Sequence, residues 1–443
     1  MTYAMRACLA AAAALAIGLP PVVADGGKKG ALTMTNAIGC YGAVSVDYRR
    51  AGKPALKLSF GEPGIAAMAS KPEGWGFYQF PSLSRLEDGR VHLGFSVQED
   101  SVRSYGKGGR VHLVSADGAG KWQEADAASM RTGLLLPNGD RLAVTTPEAK
   151  KVSELKLPEP AGTVTASYGN TELDVFRLQG LPPELRTVHQ VRRAEGTDRW
   201  KAELADLLDP QALRYTISGL FPVVWWGDMR VAPDGSLLAG IYPAYLLRDD
   251  GTVDAKGGVF FYRSTDNGHT WTVQGRIRYQ PDLTADPKGN ERGGFTEPAF
   301  EILADGSLLC VMRTTDGVGI GPMYASRSKD LGRTWSKPAA FTPNGVLPQL
   351  LRLENGVLVL ASGRPGVQVR FCADGRGETW SDPFEMVAPK PEVAGDYSCG
   401  YTSLLATGPD SFLIAYSDFK HRAPGGAFRK AIKVREVRAS PEG

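Results

Sequence analysis

The strongest constraint in this sequence is a strand–turn–strand unit that recurs six times. Asp or Asn followed by Gly separates two apolar runs at Asp88-Gly89, Asn138-Gly139, Asp234-Gly235, Asp305-Gly306 and Asn355-Gly356. The sixth copy turns at Pro409-Asp410-Ser411. An Asx-Gly pair tolerates φ > 0 at both central turn positions, so it closes a two-stranded hairpin. The copies occupy 81–96, 131–145, 228–242, 295–313, 348–362 and 402–417. A hairpin brings its two open ends side by side. In 295–313 those ends carry Glu297 and Arg313.

A second signature follows most of the hairpins. Ser264 to Trp271 and Ser328 to Trp335 both read Ser-x-Asp-x-Gly-x-Thr-Trp. Looser versions run from Ser115 to Trp122, Arg193 to Trp200 and Ala373 to Trp380. The Asp side chain can accept hydrogen bonds from turn amides, Gly takes the φ > 0 position, and Trp packs the turn onto a sheet. These boxes read as fold-stabilising turns rather than ligand or metal sites.

A hairpin followed by a boxed hairpin is a four-stranded blade. Six of them predict an all-β chain, a six-bladed β-propeller of antiparallel four-stranded blades, because radial repetition protects sheet edges. The propeller is predicted over 25–443, with an insertion near 147–183 that decorates the second blade. Lys201–Leu208 reads as a short helix. The last blade lacks a box, and its outer strands are placed at Ala431–Val437 and, closing the ring, near Ala43–Tyr48.

Residues 1–24 read as a signal peptide: Arg6, an apolar run from Leu9 to Ile17, and Val22-Val23-Ala24 before a cleavage point. This predicts a secreted or periplasmic protein with no integral membrane segment after cleavage. Loss of Arg6 lowers the formal charge from +3 to +2. A near-neutral chain without a clustered basic face does not fit a nucleic-acid partner. Cys40, Cys310, Cys372, Cys399 and the five scattered histidines match no metal spacing. No cofactor or metal is expected.

If each hairpin forms the inner strands of a blade, its open ends converge on the axis. The chain enters this rim at Tyr78-Gln79-Phe80, Met130-Arg131, Gly227-Asp228, Glu297, Leu347 and Tyr401. It leaves at Gln98-Glu99-Asp100, Tyr242, Arg313, Arg364 and Asp418. Convergent polar and aromatic groups in a concavity are the default site.

The two full boxes, the Glu297-Pro298 hairpin leaving through Met312-Arg313, and Gly400-Tyr401-Thr402-Ser403-Leu404 resemble the sialidases (neuraminidases) and their bacterial BNR-repeat relatives. The likeness is strongest from 228 to 418. It implies a glycoside hydrolase that removes a terminal acidic sugar, sialic acid or a relative, from a glycan or glycoconjugate. Tyr401 then stands as nucleophile and Glu297 as its base, since a phenol near pKa 10 needs a base within reach. Arg313 and Arg370, with Arg364 as the rival of the latter, grip the substrate carboxylate. Asp228 reads equally as a ligand contact and a strand start.

Two departures from the family pattern stand out. Gln79 occupies the place of the first carboxylate-binding arginine, and a neutral amide cannot pair a charge; Arg131 is the neighbouring substitute. Asp100, with Glu99 next, is the candidate general acid, but its surroundings match the family poorly. Two other functions therefore compete. One is a non-catalytic carbohydrate-binding propeller; the other is a polysaccharide lyase on the same scaffold.

Overall fold

The computed structural model describes residues 42–127, 130–166, 171–315, 320–389 and 400–442. The candidate signal segment, Cys40 and Cys399 lie outside them. The described chain is all-β, and all six hairpins form. The turn glycines Gly89, Gly139, Gly235, Gly306 and Gly356 all have φ between +79° and +88°. That is the left-handed conformation for which an Asx-Gly turn selects.

Three hairpins open regular four-stranded antiparallel sheets. The first sheet contains Phe77–Arg85, Val91–Val97, Arg110–Ser115 and Gln123–Glu124. The fourth contains Phe295–Ile302, Leu308–Thr314, Met323–Ser328 and Ala339–Thr342. The fifth contains Val346–Arg352, Leu358–Gly363, Val367–Cys372 and Phe384–Val387. The inner strands succeed one another in space. Trp226–Val231 packs beside Phe295–Ile302, that strand beside Val346–Arg352, the next beside Thr402–Gly408, and the last beside Phe77–Arg85.

Elsewhere the uniform four-stranded expectation gives way. The second and third hairpin groups merge into one 11-stranded sheet, because Trp200–Leu208 pairs in parallel with Thr270–Ile277. Residues 201–208 are therefore strand, not helix. Their burial alternates, with Ala205 and Leu207 inward, and a period of two belongs to a strand. The insertion does not decorate the second hairpin group alone. Gly162–Ala166 and Thr171–Arg177 pair with each other, and the sheet continues through Ala212–Tyr215 onto Leu237–Leu246 of the third group. The last sheet has six strands. Val44–Tyr48 joins it through Leu56–Phe60, which pairs with Phe428–Pro441.

The boxes fold as their composition requires and also seat one sheet on another. In the third sheet Ser264 Oγ donates to Asp266 at 2.7 Å and accepts from Gly268 N at 2.8 Å. Trp271 is fully buried. Gln190 and Arg192 of the second group donate to the Gly268 and Asn267 carbonyls of this box, each at 2.8 Å. Gln274 of the third group donates to Leu331 O of the next box at 3.0 Å, and Arg327 of the fourth sheet reaches the Arg376 carbonyl of the fifth at 2.6 Å. Phe261 lies 4.3 Å from Trp335 and 5.4 Å from Phe300. Each fully buried side chain of this size contributes about 1.5–3 kcal/mol. The boxes thus sit at the turn ends of the sheets, away from Glu297 and Arg313, and their chemistry is spent on the fold.

Candidate functional site

A repeated backbone device shapes the open ends of the hairpins. Phe80, Glu297 and Leu347 have φ of +52°, +47° and +41°. Each precedes a proline, and each lies at a shift in its ladder. A bulge leaves one residue unpaired, so a proline without an N–H is tolerated there. Left-handed backbone in a non-glycine residue costs of order 1–3 kcal/mol and persists only where its surroundings impose it. Here it redirects three side chains at the open ends of the first, fourth and fifth sheets.

Glu297 is the hub of the cluster. Arg313 Nη1 donates to its Oε1 at 2.8 Å, and Leu347 N donates to its Oε2 at 2.8 Å. Each carboxylate oxygen keeps a second lone pair for a further donor. Arg364 is buried and also has positive φ, +41°. Its guanidinium lies 5.0 Å over the Trp75 ring. Gly363 makes that placement possible, because a Cβ there would come 2.3 Å from the Gly400 carbonyl oxygen. The turn carrying Arg364 therefore abuts the residue before Tyr401.

Tyr401 is only 4% exposed. Phe80 stacks on its ring at 4.3 Å and 29°, and Trp75 meets it edge-on at 6.4 Å. Phe419 packs against Trp75 at 5.9 Å. Burial drives the phenol pKa above its ordinary 10; Glu297 and Asp100 push the same way, while Arg313 and Arg364 oppose them. No described residue hydrogen-bonds the Tyr401 hydroxyl.

Asp100 comes to the group on the loop after Val91–Val97. Trp75 Nε1 donates to its Oδ2 at 3.0 Å. Asp100 keeps solvent contact but is crowded by the cluster, and desolvation raises its pKa. Glu297 adds to that rise; the Trp75 hydrogen bond and the two arginines oppose it. Gly76 (φ +95°) holds the loop close, since a Cβ there would lie 2.2 Å from Asp100 N.

The other candidates lie differently. Gln79 is fully buried, and neither of its amide atoms has a partner among the described residues. Asp228 faces Arg230 at 3.6 Å, and Arg230 faces Glu301 at the same distance. Burial raises the Asp228 pKa, and Arg230 opposes the rise. Arg370 is not drawn into the Tyr401 group. It donates to Gln368 at 3.1 Å, and its charge is felt from Asp382. Arg364, at the matching end of its hairpin, occupies the place beside Tyr401. Glu99 and Arg131 are exposed. Trp75 and Phe419 were not anticipated as site residues; the Trp75-Gly76 dipeptide before the first hairpin was the available signal. Among the described residues no three His, Cys, Asp or Glu side chains are placed to hold a metal ion, and no helix is long and apolar enough to cross a membrane.

Residues 209–413 match the BNR repeat-like domain. That segment, a little under half of the chain, is what resembles the BNR repeats. Among solved structures, a protein of unknown function from Dyadobacter fermentans aligns with 85% of this chain and 99% of its own, at 19% identity and a TM-score of 0.54. The NanB sialidase of Streptococcus pneumoniae, as a point mutant, aligns over 85% of this chain and 70% of its own at 12% identity and a TM-score of 0.48. The Trypanosoma rangeli sialidase with the inhibitor DANA covers 89% and 59% at 12% identity and 0.43. No curated protein matches the sequence. The repeat match and the likeness to the Dyadobacter protein speak for the fold alone, and the chemistry rests on this chain's own residues.

Proposed function

We propose that this protein is a secreted or periplasmic exo-glycosidase of the sialidase type. Its fold is a single six-bladed propeller over 25–443, entered after a signal peptide at 1–24. Succession of the inner strands, with Glu87 of the first sheet bridging to Arg141 and Arg193 of the second group, supports the ring. The substrate is a terminal acidic sugar on a glycan or glycoconjugate.

The observation that carries this reading is Trp75, which donates to Asp100, lies under the Arg364 guanidinium and meets Tyr401 edge-on, at the same hairpin ends as the Glu297–Arg313 pair. Arg313 and Arg364 hold the sugar carboxylate, and Gln79 contributes at most a neutral hydrogen bond. Asp228 faces Arg230 and Arg370 donates to Gln368 on the fifth sheet, so neither is assigned to the carboxylate grip. Asp100, with its raised pKa, gives a proton to the departing oxygen. Tyr401 attacks the anomeric carbon as its proton passes to Glu297, and water then releases the sugar from the tyrosine. A neutral nucleophile suits an anionic sugar, which would repel a carboxylate.

One observation favours the binding-only alternative. Both Glu297 oxygens already accept hydrogen bonds, and no described group reaches the Tyr401 hydroxyl. Tyr401→Phe separates the readings, because it keeps the ring stacked on Phe80 while removing the nucleophile. With a panel of acidic glycosides, the enzyme reading expects turnover to fall at least about 10³-fold while calorimetric binding persists. Binding without turnover in the wild-type protein would establish the binder, and unchanged turnover in the variant would remove Tyr401 from the chemistry.

A further inference from the structure

One face of the first sheet carries a polar cluster that the reaction above does not use. The Ser84 hydroxyl lies 3.0 Å from His92 Nδ1, and His92 Nε2 lies 2.9 Å from His112 Nδ1. The two imidazoles are stacked, with centroids 5.2 Å apart and planes at 13°. Beside them Arg110 Nη2 donates to the Phe80 carbonyl at 3.1 Å and to Ser82 Oγ at 3.0 Å. Gly94 clears the space between these groups. A Cβ there would come 3.0 Å from Ser82 Oγ, 3.2 Å from Arg110 Nη2 and 3.5 Å from His92 Cε1.

Phe80 is the link to the candidate site. Its carbonyl takes the Arg110 hydrogen bond, its backbone has φ +52°, and its ring stacks on Tyr401. The backbone strain at Phe80 needs an outside restraint, and Arg110 supplies one. We propose that Arg110 is a positioning residue for Tyr401, holding Phe80 against the phenol, and that the adjoining Ser84–His92–His112 chain makes this hold acid-labile.

The proton count explains the lability. If Ser84 donates to His92 Nδ1, His92 carries its proton on Nε2 and donates to His112 Nδ1, so both rings are neutral. A second proton on the pair reverses the links, with His92 Nδ1 donating to the Ser84 hydroxyl and His112 Nδ1 to His92 Nε2, and adds positive charge beside Arg110. The groups facing the pair are Ser82 and Ser84 from the first strand, Arg110 from the third, and Asp126 beyond the fourth. Asp126 favours a charged His112, whereas Arg110 disfavours charge on both rings. Burial is the largest influence on each histidine and lowers its pKa, His92 to about 4.

The proposal deepens the Tyr401 reading, so its test uses a readout that does not need turnover. The full chain is labelled with 3-fluorotyrosine, and the Tyr401 ¹⁹F signal is assigned by its loss in Tyr401→Phe. At pH 7.5, Arg110→Ala is expected to shift that signal, and Arg110→Lys to restore it in part. Arg110 is exposed, so these variants should keep the fold. In the wild-type protein the signal is expected to move as pH falls from 6.5 towards 4, and His92→Gln or His112→Gln should remove that step. If acidic glycosides are cleaved, Arg110→Ala should lower kcat about 10-fold with little change in KM. A Tyr401 signal indifferent to Arg110→Ala would overturn the positioning role. An acid step that survives both histidine variants would overturn its pH dependence. Absence of turnover with these NMR effects intact would count against the glycosidase reading alone.

Discussion

Arg313 and Glu297 pair at 2.8 Å across the open end of one hairpin, with only 10% and 11% of their side chains exposed. Leu347 N donates to the other oxygen of the carboxylate. Removing one member of a buried pair leaves the other uncompensated, at a cost of about 3–5 kcal/mol. Glu297→Ala should therefore lower stability by that amount in urea melts. Glu297→Gln keeps an acceptor for Arg313 and should lose only about 1–2 kcal/mol. If Glu297 is also the base, the Gln variant should still lose turnover at least about 10²-fold. A stable Gln variant with full activity would leave Glu297 a structural partner only.

Gly76 offers a test of how Asp100 is held. Any side chain at this position meets backbone atoms of 98–100, the nearest at 2.2 Å, and must adopt φ +95°. Gly76→Ala should displace the loop, break the Trp75–Asp100 hydrogen bond and destabilise the fold by about 1–3 kcal/mol. The expected signs are changed tryptophan fluorescence and loss of activity on substrates with poor leaving groups. Aryl glycosides, whose leaving groups need no proton, should be affected less. Equal loss on both substrate types would argue against Asp100 as the acid.

The hairpins and boxes were legible because each is a local pattern: an Asx-Gly turn between apolar runs, or a turn sealed by a tryptophan. Glu297, Arg313 and Tyr401 followed from their places at hairpin ends. The strand at 201–208 was misread because charged Lys201 and Glu203 share a face with the inward Ala205 and Leu207 while Leu204 and Leu208 are exposed, which blurs the alternation; the parallel partner that fixes it lies some 65 residues away. Arg364 over Arg370 was not readable, since the choice depends on the contact of Gly363 with Gly400. Trp75 was hidden for the same reason: its partners Asp100, Arg364, Tyr401 and Phe419 come from three other sheet connections.

Acid should destabilise the protein in two separate windows. Desolvation opposes the Asp330 anion, but hydrogen bonds from Thr334, Ser328 and the backbone outweigh it and hold its pKa at about 2, below the ordinary 3.8. Between these values the unfolded chain binds more protons, so this contribution is present above about pH 4 and lost as pH falls through 2. His92 follows the same sign at higher pH. Its pKa of about 4, against 6.5, gives stability that is present above 6.5 and lost as pH falls towards 4. Urea midpoints measured from pH 7 to 2 should fall in both ranges. His92→Gln should flatten only the upper range and Asp330→Asn only the lower.

Cys372 tests whether the fifth box works as its siblings do. Its thiol donates to Asp374 at 2.8 Å, where Ser264 and Ser328 donate to Asp266 and Asp330 at 2.7 Å. A hydroxyl is the stronger donor, so Cys372→Ser should leave stability unchanged or raise it by up to about 1 kcal/mol. Cys372→Ala removes one donor from the Asp374 carboxylate, which keeps the amides of Arg376, Glu378 and Thr379, and should cost about 0.5–1.5 kcal/mol. Burial, reinforced by the Asp374 carboxylate, pushes the thiol up to about 12, and burial also raises Cys310 far above its ordinary value. Only a thiolate is nucleophilic. Iodoacetamide at pH 8 should therefore leave both residues unmodified in the native protein and label both in urea, as read by peptide mass spectrometry. Rapid native labelling of Cys372 would show that the box opens to solvent and that its cysteine is no structural equivalent of the serines.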